Sequence, residues 1–132
     1  MNKIVELINT LPKLLKTKSA TAEAIKSAED SLSLVFAEDY REYISAFGDI
    51  SFAGTELTGI SDVVSTTLDE KAVSSNINIS KFFYVIENTG WEGIIIWQDN
   101  FGTIYKTAPN VMPVKIANSL VEYIEQKMSN LN

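Results

Sequence analysis

Phe82-Phe83-Tyr84-Val85-Ile86, Ile94-Ile95-Ile96-Trp97-Gln98 and Thr103-Ile104-Tyr105-Lys106-Thr107 are three β-rich runs in close succession. Each is dense in β-branched and aromatic side chains, which fit a pleated, half-buried surface. Glu87-Asn88-Thr89-Gly90-Trp91-Glu92-Gly93 joins the first two, and Asp99-Asn100-Phe101-Gly102 joins the next pair. Short glycine-containing connections predict antiparallel hairpins, because a parallel crossover needs a dozen residues or more. Asp99-Asn100-Phe101-Gly102 opens like a calcium loop, but the alternating acids and the closing Glu are missing, so it reads as a turn.

Downstream, Pro109 and Pro113 bracket an extended piece around Val111. Ile116, Leu120, Val121, Ile124 and Met128 then form one stripe of a closing helix, with Asn118 or Ser119 near its cap. Upstream, Ile4, Leu7, Ile8 and Leu11 fall at helical spacing, and Pro12 marks the exit. Leu14 and Leu15 are expected to continue burial, and Lys13, Lys16 and Lys18 read as a solvated linker. Thr21 is a reasonable cap for a helix whose apolar face is Ile25, Ala28, Leu32 and Val35 or Phe36. Glu29 lies on that face. It is either a partly exposed acid at the stripe's edge or a carboxylate bonded to a neighbouring backbone turn. Glu38-Asp39 opens a further helix with Tyr40, Tyr43, Ile44 and Phe47 inward and Gly48 as a left-handed C-terminal stop. Residues 52–60 suggest a short strand near Glu56, Asp62 a cap for a helical turn over 63–68, and residues 69–80 a loop. The expected class is α+β: N-terminal helices, an antiparallel sheet, then a helix laid against it. It forms one domain over 1–132, with residues 1–20 as N-terminal helix and linker and 21–132 as core.

Charge is unevenly placed. Residues 27–70 carry ten carboxylates and one cation, Arg41, for a net −9 in a chain whose total is −6. Residues 1–26 sum to +3 and residues 71–132 to zero. Such a block repels nucleic acid and anionic membranes and attracts basic partners, unless it is simply a solvated acidic surface. No apolar run approaches the ~20 residues of a membrane span. The N-terminus lacks an apolar signal region, which with the absence of cysteine favours a cytoplasmic protein. Histidine is absent too, which removes Ser-His and Cys-His nucleophiles and the commonest metal ligand. No phosphate-cradling glycine motif is present. No cofactor is expected.

The segments Ile25-Lys26-Ser27-Ala28-Glu29-Asp30-Ser31-Leu32, Phe36-Ala37-Glu38-Asp39-Tyr40-Arg41-Glu42-Tyr43-Ile44 and Phe47-Gly48 occur in a suggestive order. They are followed by Gly93-Ile94-Ile95-Ile96-Trp97, Gly102-Thr103-Ile104-Tyr105, and a helix with Ser119-Leu120 and Tyr123-Ile124. From Thr21 onward the chain resembles the SUKH superfamily, bacterial immunity proteins related to a yeast cell-wall regulator. Two positions depart from the family pattern. Ala37 stands where Pro is usual, and Trp91-Glu92-Gly93 where Gly-Asp is frequent. The resemblance implies a SUKH-like fold and a protein that neutralises a co-encoded toxin, often a nuclease. It implies no catalytic residues, and it leaves the oligomeric state open.

The leading expectation is therefore an immunity protein that binds a cognate toxin, a basic nuclease domain, and touches neither nucleic acid nor membrane directly. Nuclease active sites bind a polyanion, so an acidic protein can compete for that surface. Glu56, Asp62, Asp69, Glu70 and Glu92 are the candidate steering acids, and Trp91 is the candidate anchor. Trp91 has an equal alternative, packing back onto the sheet. Tyr40, Tyr43, Phe47 and Trp97 are assigned to the core. The alternatives are a non-toxin adaptor domain, and an enzyme using paired carboxylates such as Glu56 with Asp62 or Glu87 with Glu92. Catalysis is not expected.

Overall fold

The computed structural model describes residues 3–60 and 82–130. In those residues the chain forms α1 (Lys3–Ile8), β1 (Leu15–Lys16), α2 (Ala22–Leu32), α3 (Glu38–Phe47), β2 (Ile50–Phe52), β3 (Thr55–Glu56), β4 (Tyr84–Asn88), β5 (Ile95–Gln98), β6 (Ile104–Ala108), β7 (Val111–Ala117) and α4 (Leu120–Ser129). Two antiparallel sheets result, ordered β1-β2-β3 and β4-β5-β6-β7. The mixed α+β class and the hairpin reading of the second half both hold.

Alternation along the larger sheet sorts its side chains. Tyr84, Ile86, Ile96 and Ile104 face the helices and join one core with Ile4, Ile8, Tyr40, Tyr43, Ile44, Leu120 and Ile124. Val85, Ile95 and Trp97 form a second cluster with Phe83 on the opposite face. Edge-on and tilted contacts among Phe36, Tyr40, Tyr43 and Tyr84, with ring centroids 4.9–5.5 Å apart, fill the centre.

Each buried hydroxyl and carboxylate in this core has a partner, which offsets its desolvation. The Tyr43 hydroxyl donates to the Thr58 carbonyl (2.6 Å), and Thr58 Oγ1 donates to the Val85 carbonyl (2.7 Å). Thr58 N–H donates to the Ile86 carbonyl (2.8 Å), so Thr58 laces the small sheet to the large one. Glu29 accepts from Phe36 N–H (2.8 Å) and from Arg41 (2.7 Å), so it is the carboxylate bonded to a backbone turn. Asp39 accepts from Leu120 N–H (2.7 Å) and Gln98 Nε2 (3.0 Å), tying the starts of α3 and α4 to the sheet. Burial raises the Asp39 carboxyl above its ordinary value, against the pull of those donors.

Several expectations need correction. Leu15 is exposed, not buried, and the lysine-rich linker contains a strand: β1 pairs Leu15 with Ser51 and Lys16 with Ile50. Both residues of β1 are exposed, and Leu14, just before the strand, is half-buried. Of the two alternatives Val35 and Phe36, Phe36 is the buried one, and both lie beyond the end of α2. Ile116 belongs to β7, because Ser119 is the cap of α4 and accepts from Glu122 N–H (3.1 Å). Pro113 lies inside β7, an edge strand, where a missing N–H is tolerated. Gly48 has positive φ (75°) but ψ of −84°, so it is not left-handed helical. A Cβ there would collide with the Lys18 carbonyl, and that close approach demands glycine. The helical turn expected over 63–68 and the loop over 69–80 lie outside the described residues.

Candidate partner-binding surface

Strand register builds the first part of the surface. Leu15 pairs with Ser51, and Ser51 with Glu56, so these three side chains stand in one row. Ile50, Phe52 and Leu57 point the other way and are buried. The row faces solvent, with Leu15 70% exposed. An open cleft of about 330 Å³ runs along it and reaches Asn88 at the end of β4. A neighbouring cleft of about 560 Å³ adds Lys13, Glu87 and Thr89 to its walls.

The β4–β5 connection leaves this cleft at Asn88 and carries Trp91. Asn88 Oδ1 accepts from Gly90 N–H (3.1 Å), which closes an Asx turn. Thr89 Oγ1 accepts from Trp91 N–H (3.2 Å) and donates to the Ile94 carbonyl (2.8 Å). Ile94 N–H donates back to the Trp91 carbonyl (3.0 Å). Gly93 (φ 71°), at the end of the loop, abuts the β6–β7 turn. A Cβ at Gly93 would stand 2.8 Å from Pro109 Cγ. These restraints hold the backbone while leaving Trp91 64% exposed. Trp91 therefore does not pack back onto the sheet. A large ring on a pinned loop loses little further freedom on binding, which is what an interface anchor needs.

The structure brings Glu56 and the stem of the Trp91-Glu92 loop to the same clefts, and both acids are exposed. Asp62, Asp69 and Glu70 lie outside the described residues. The acidic block is not uniformly surface. Glu29 is buried against Arg41, and Asp39 is committed to hydrogen bonds inside the fold. Glu87 and Glu92 do not share an environment. Glu87 is 5% exposed and bonded to Tyr123 and Lys127, whereas Glu92 faces solvent with φ of 51°. Sequence reasoning missed Leu15 and also the exposed apolar side chains Val111, Met112 and Val114 of β7. Proline-flanked spacing around Val111 signalled the strand but not its position at the sheet edge. Among the described residues, no group of three or more Asp or Glu is placed to hold a metal ion. No described helix is long and apolar enough to cross a membrane.

A family model described as SMI1-KNR4 cell-wall, SUKH_5, matches residues 1–129. The chain belongs to this SUKH family. A crystal structure of a protein from Pseudomonas syringae pv. tomato is similar to this SUKH chain at a TM-score of 0.76 and 11% identity, over 95% of this chain and 96% of that one. At that identity the likeness concerns the fold. Comparison with curated proteins gives no match. The SUKH fold thus places the exposed tryptophan loop and the small sheet's solvent face beside each other, on a core that is otherwise satisfied.

Proposed function

We propose that this chain is an immunity protein that binds and neutralises a cognate bacterial toxin, a nuclease with a basic active-site surface, in the cytoplasm. The observation that carries the reading is Trp91, 64% exposed on a loop pinned by its own hydrogen bonds. Family membership supports it, as does the acidic block between residues 27 and 70. Burial of such a ring supplies binding energy, while the acids speed encounter and select a basic partner. The protein acts by occupancy and carries out no reaction of its own.

Co-purification with the product of the neighbouring gene tests this reading. A stable complex that abolishes the partner's nuclease activity is expected. A neighbouring product without toxic activity that still binds would favour the second reading, a regulatory adaptor, which the cell-wall description of the family also supports. Charge gives a finer test. Neutralising Glu56, Asp62, Asp69 and Glu70 together should slow association and flatten its salt dependence, with folding retained. An unchanged association rate at low salt would reduce the block to a solvated surface.

A further inference from the structure

Glu87 is the last buried residue of β4 before the loop that carries Trp91. Its register is irregular. Val85 pairs with Trp97 and Glu87 with Ile96, so one extra residue is accommodated between them. The irregularity turns Glu87 towards the helical side of the sheet, where Tyr123 and Lys127 of α4 receive it. The Tyr123 hydroxyl donates to Glu87 Oε1, and Lys127 Nζ lies 3.3 Å from the same oxygen and 3.5 Å from Oε2. Lys127 Nζ also sits 5.5 Å from the centre of the Tyr123 ring. Burial, followed by the Glu87 charge and hydrogen bond, pushes the Tyr123 hydroxyl well above its ordinary value, so it stays a proton donor.

An apolar residue at 87 would pack this seam without needing any of those partners. Burying a carboxylate instead is costly unless it is paired, and the paired geometry is directional. The next two residues, Asn88 and Thr89, make the hydrogen bonds that close the Trp91 loop. We infer that Glu87 is a positioning residue, through which Tyr123 and Lys127 of the C-terminal helix set the stem of the Trp91 loop. The inference rests on the reading of Trp91 as partner anchor, and it deepens that reading. Changes on α4, which is remote in sequence from the loop, are then felt by the partner.

The test uses the two tryptophans of the free chain. Fluorine NMR of 5-fluorotryptophan-labelled protein reports Trp91 in the loop. It also reports Trp97, which is fully buried on the opposite face of the same sheet, as an internal reference. Glu87→Gln and Tyr123→Phe should shift or broaden the Trp91 signal and leave the Trp97 signal in place. Amide exchange at Gly90 and Trp91 should accelerate by about 10-fold, with exchange in β5 unchanged. Glu125→Gln, on the exposed side of the same helix, should move neither signal. Tyr123→Phe keeps the charge pair and serves if Glu87→Gln does not fold. An unmoved Trp91 signal in a folded variant overturns the inference, as do Trp91 and Trp97 signals that move together. Because the readout needs no partner, failure here is separate from failure of the toxin reading.

Discussion

Trp97 and Trp91 are six positions apart and do opposite things. Trp97 sits mid-strand, pairs with Val85 and Tyr105 across the sheet, and donates its indole N–H to Thr107 Oγ1 (2.9 Å). Nothing of it is exposed. Trp91 sits in a loop whose backbone is held by turn hydrogen bonds, yet its side chain is left in solvent. The strand places its tryptophan where burial stabilises the fold. The loop places its own where burial awaits another molecule. Residue type is therefore uninformative about role here; the rigidity of the backbone and the direction of the side chain decide it.

The largest effect separating the two regions should come from Trp97. Trp97→Ala should cost about 3–5 kcal/mol in urea denaturation, because it empties a packed site and strands the Thr107 hydroxyl. A loss under about 1 kcal/mol would mean that the face bearing Trp97 is not a true core. Leu120→Ala comes next, at about 2–5 kcal/mol, since Leu120 is fully buried at the start of α4. A loss below about 0.5 kcal/mol would place it with surface residues such as Trp91.

Asp39 sharpens the contrast through pH. Its carboxyl is raised above the ordinary 3.8, chiefly by burial. A carboxyl that holds its proton more tightly folded than unfolded favours the folded state as pH falls through its raised value towards 3.8. Relative to Asp39→Asn, the wild type should therefore gain stability on acidification across that window. At neutral pH the bonds to Leu120 and Gln98 should still make Asp39→Ala cost about 1–3 kcal/mol. A wild-type-minus-Asn difference that stays flat from neutral pH down to 3.8 would show that burial does not perturb this group.

Local pattern carried most of the larger architecture. The stripes of α1, α2 and α3, the hairpins at Gly90–Gly93 and Gly102, and the Ser119 cap are all short-range signals. Glu29 is legible only as a choice between an edge acid and a bonded carboxylate, and its bonds to Phe36 N–H and Arg41 decide for the second. Of the small sheet, only the short strand near Glu56 is legible. Leu15–Lys16 and Thr55–Glu56 are two residues each, too short to show a period, and their register exists only once distant segments meet. Ile116 misled for a related reason. It lies four residues before Leu120 and mimics the helical stripe, although the cap begins the helix after it. The partners of Glu87 are not legible locally: Glu92 is its nearest acid in the loop, whereas Tyr123, which bonds it, is 36 residues away. The exposure of Trp91 is not legible in the sequence, because only the packing of Gly93 on Pro109 and the Thr89 bonds settle where that loop stands.

The most direct measurement is the pair of rate constants for Trp91→Ala against the cognate partner, alongside its unfolding free energy. The anchoring role of Trp91 predicts that folding stability changes by no more than about 0.5 kcal/mol, the scale of exposed sites. It also predicts that association is nearly unchanged and dissociation accelerates by about 30-fold or more, as loss of a hot-spot residue worth ~2 kcal/mol requires. A variant that dissociates at the wild-type rate, or that loses several kcal/mol of folding stability, would contradict the division of labour between the two tryptophans.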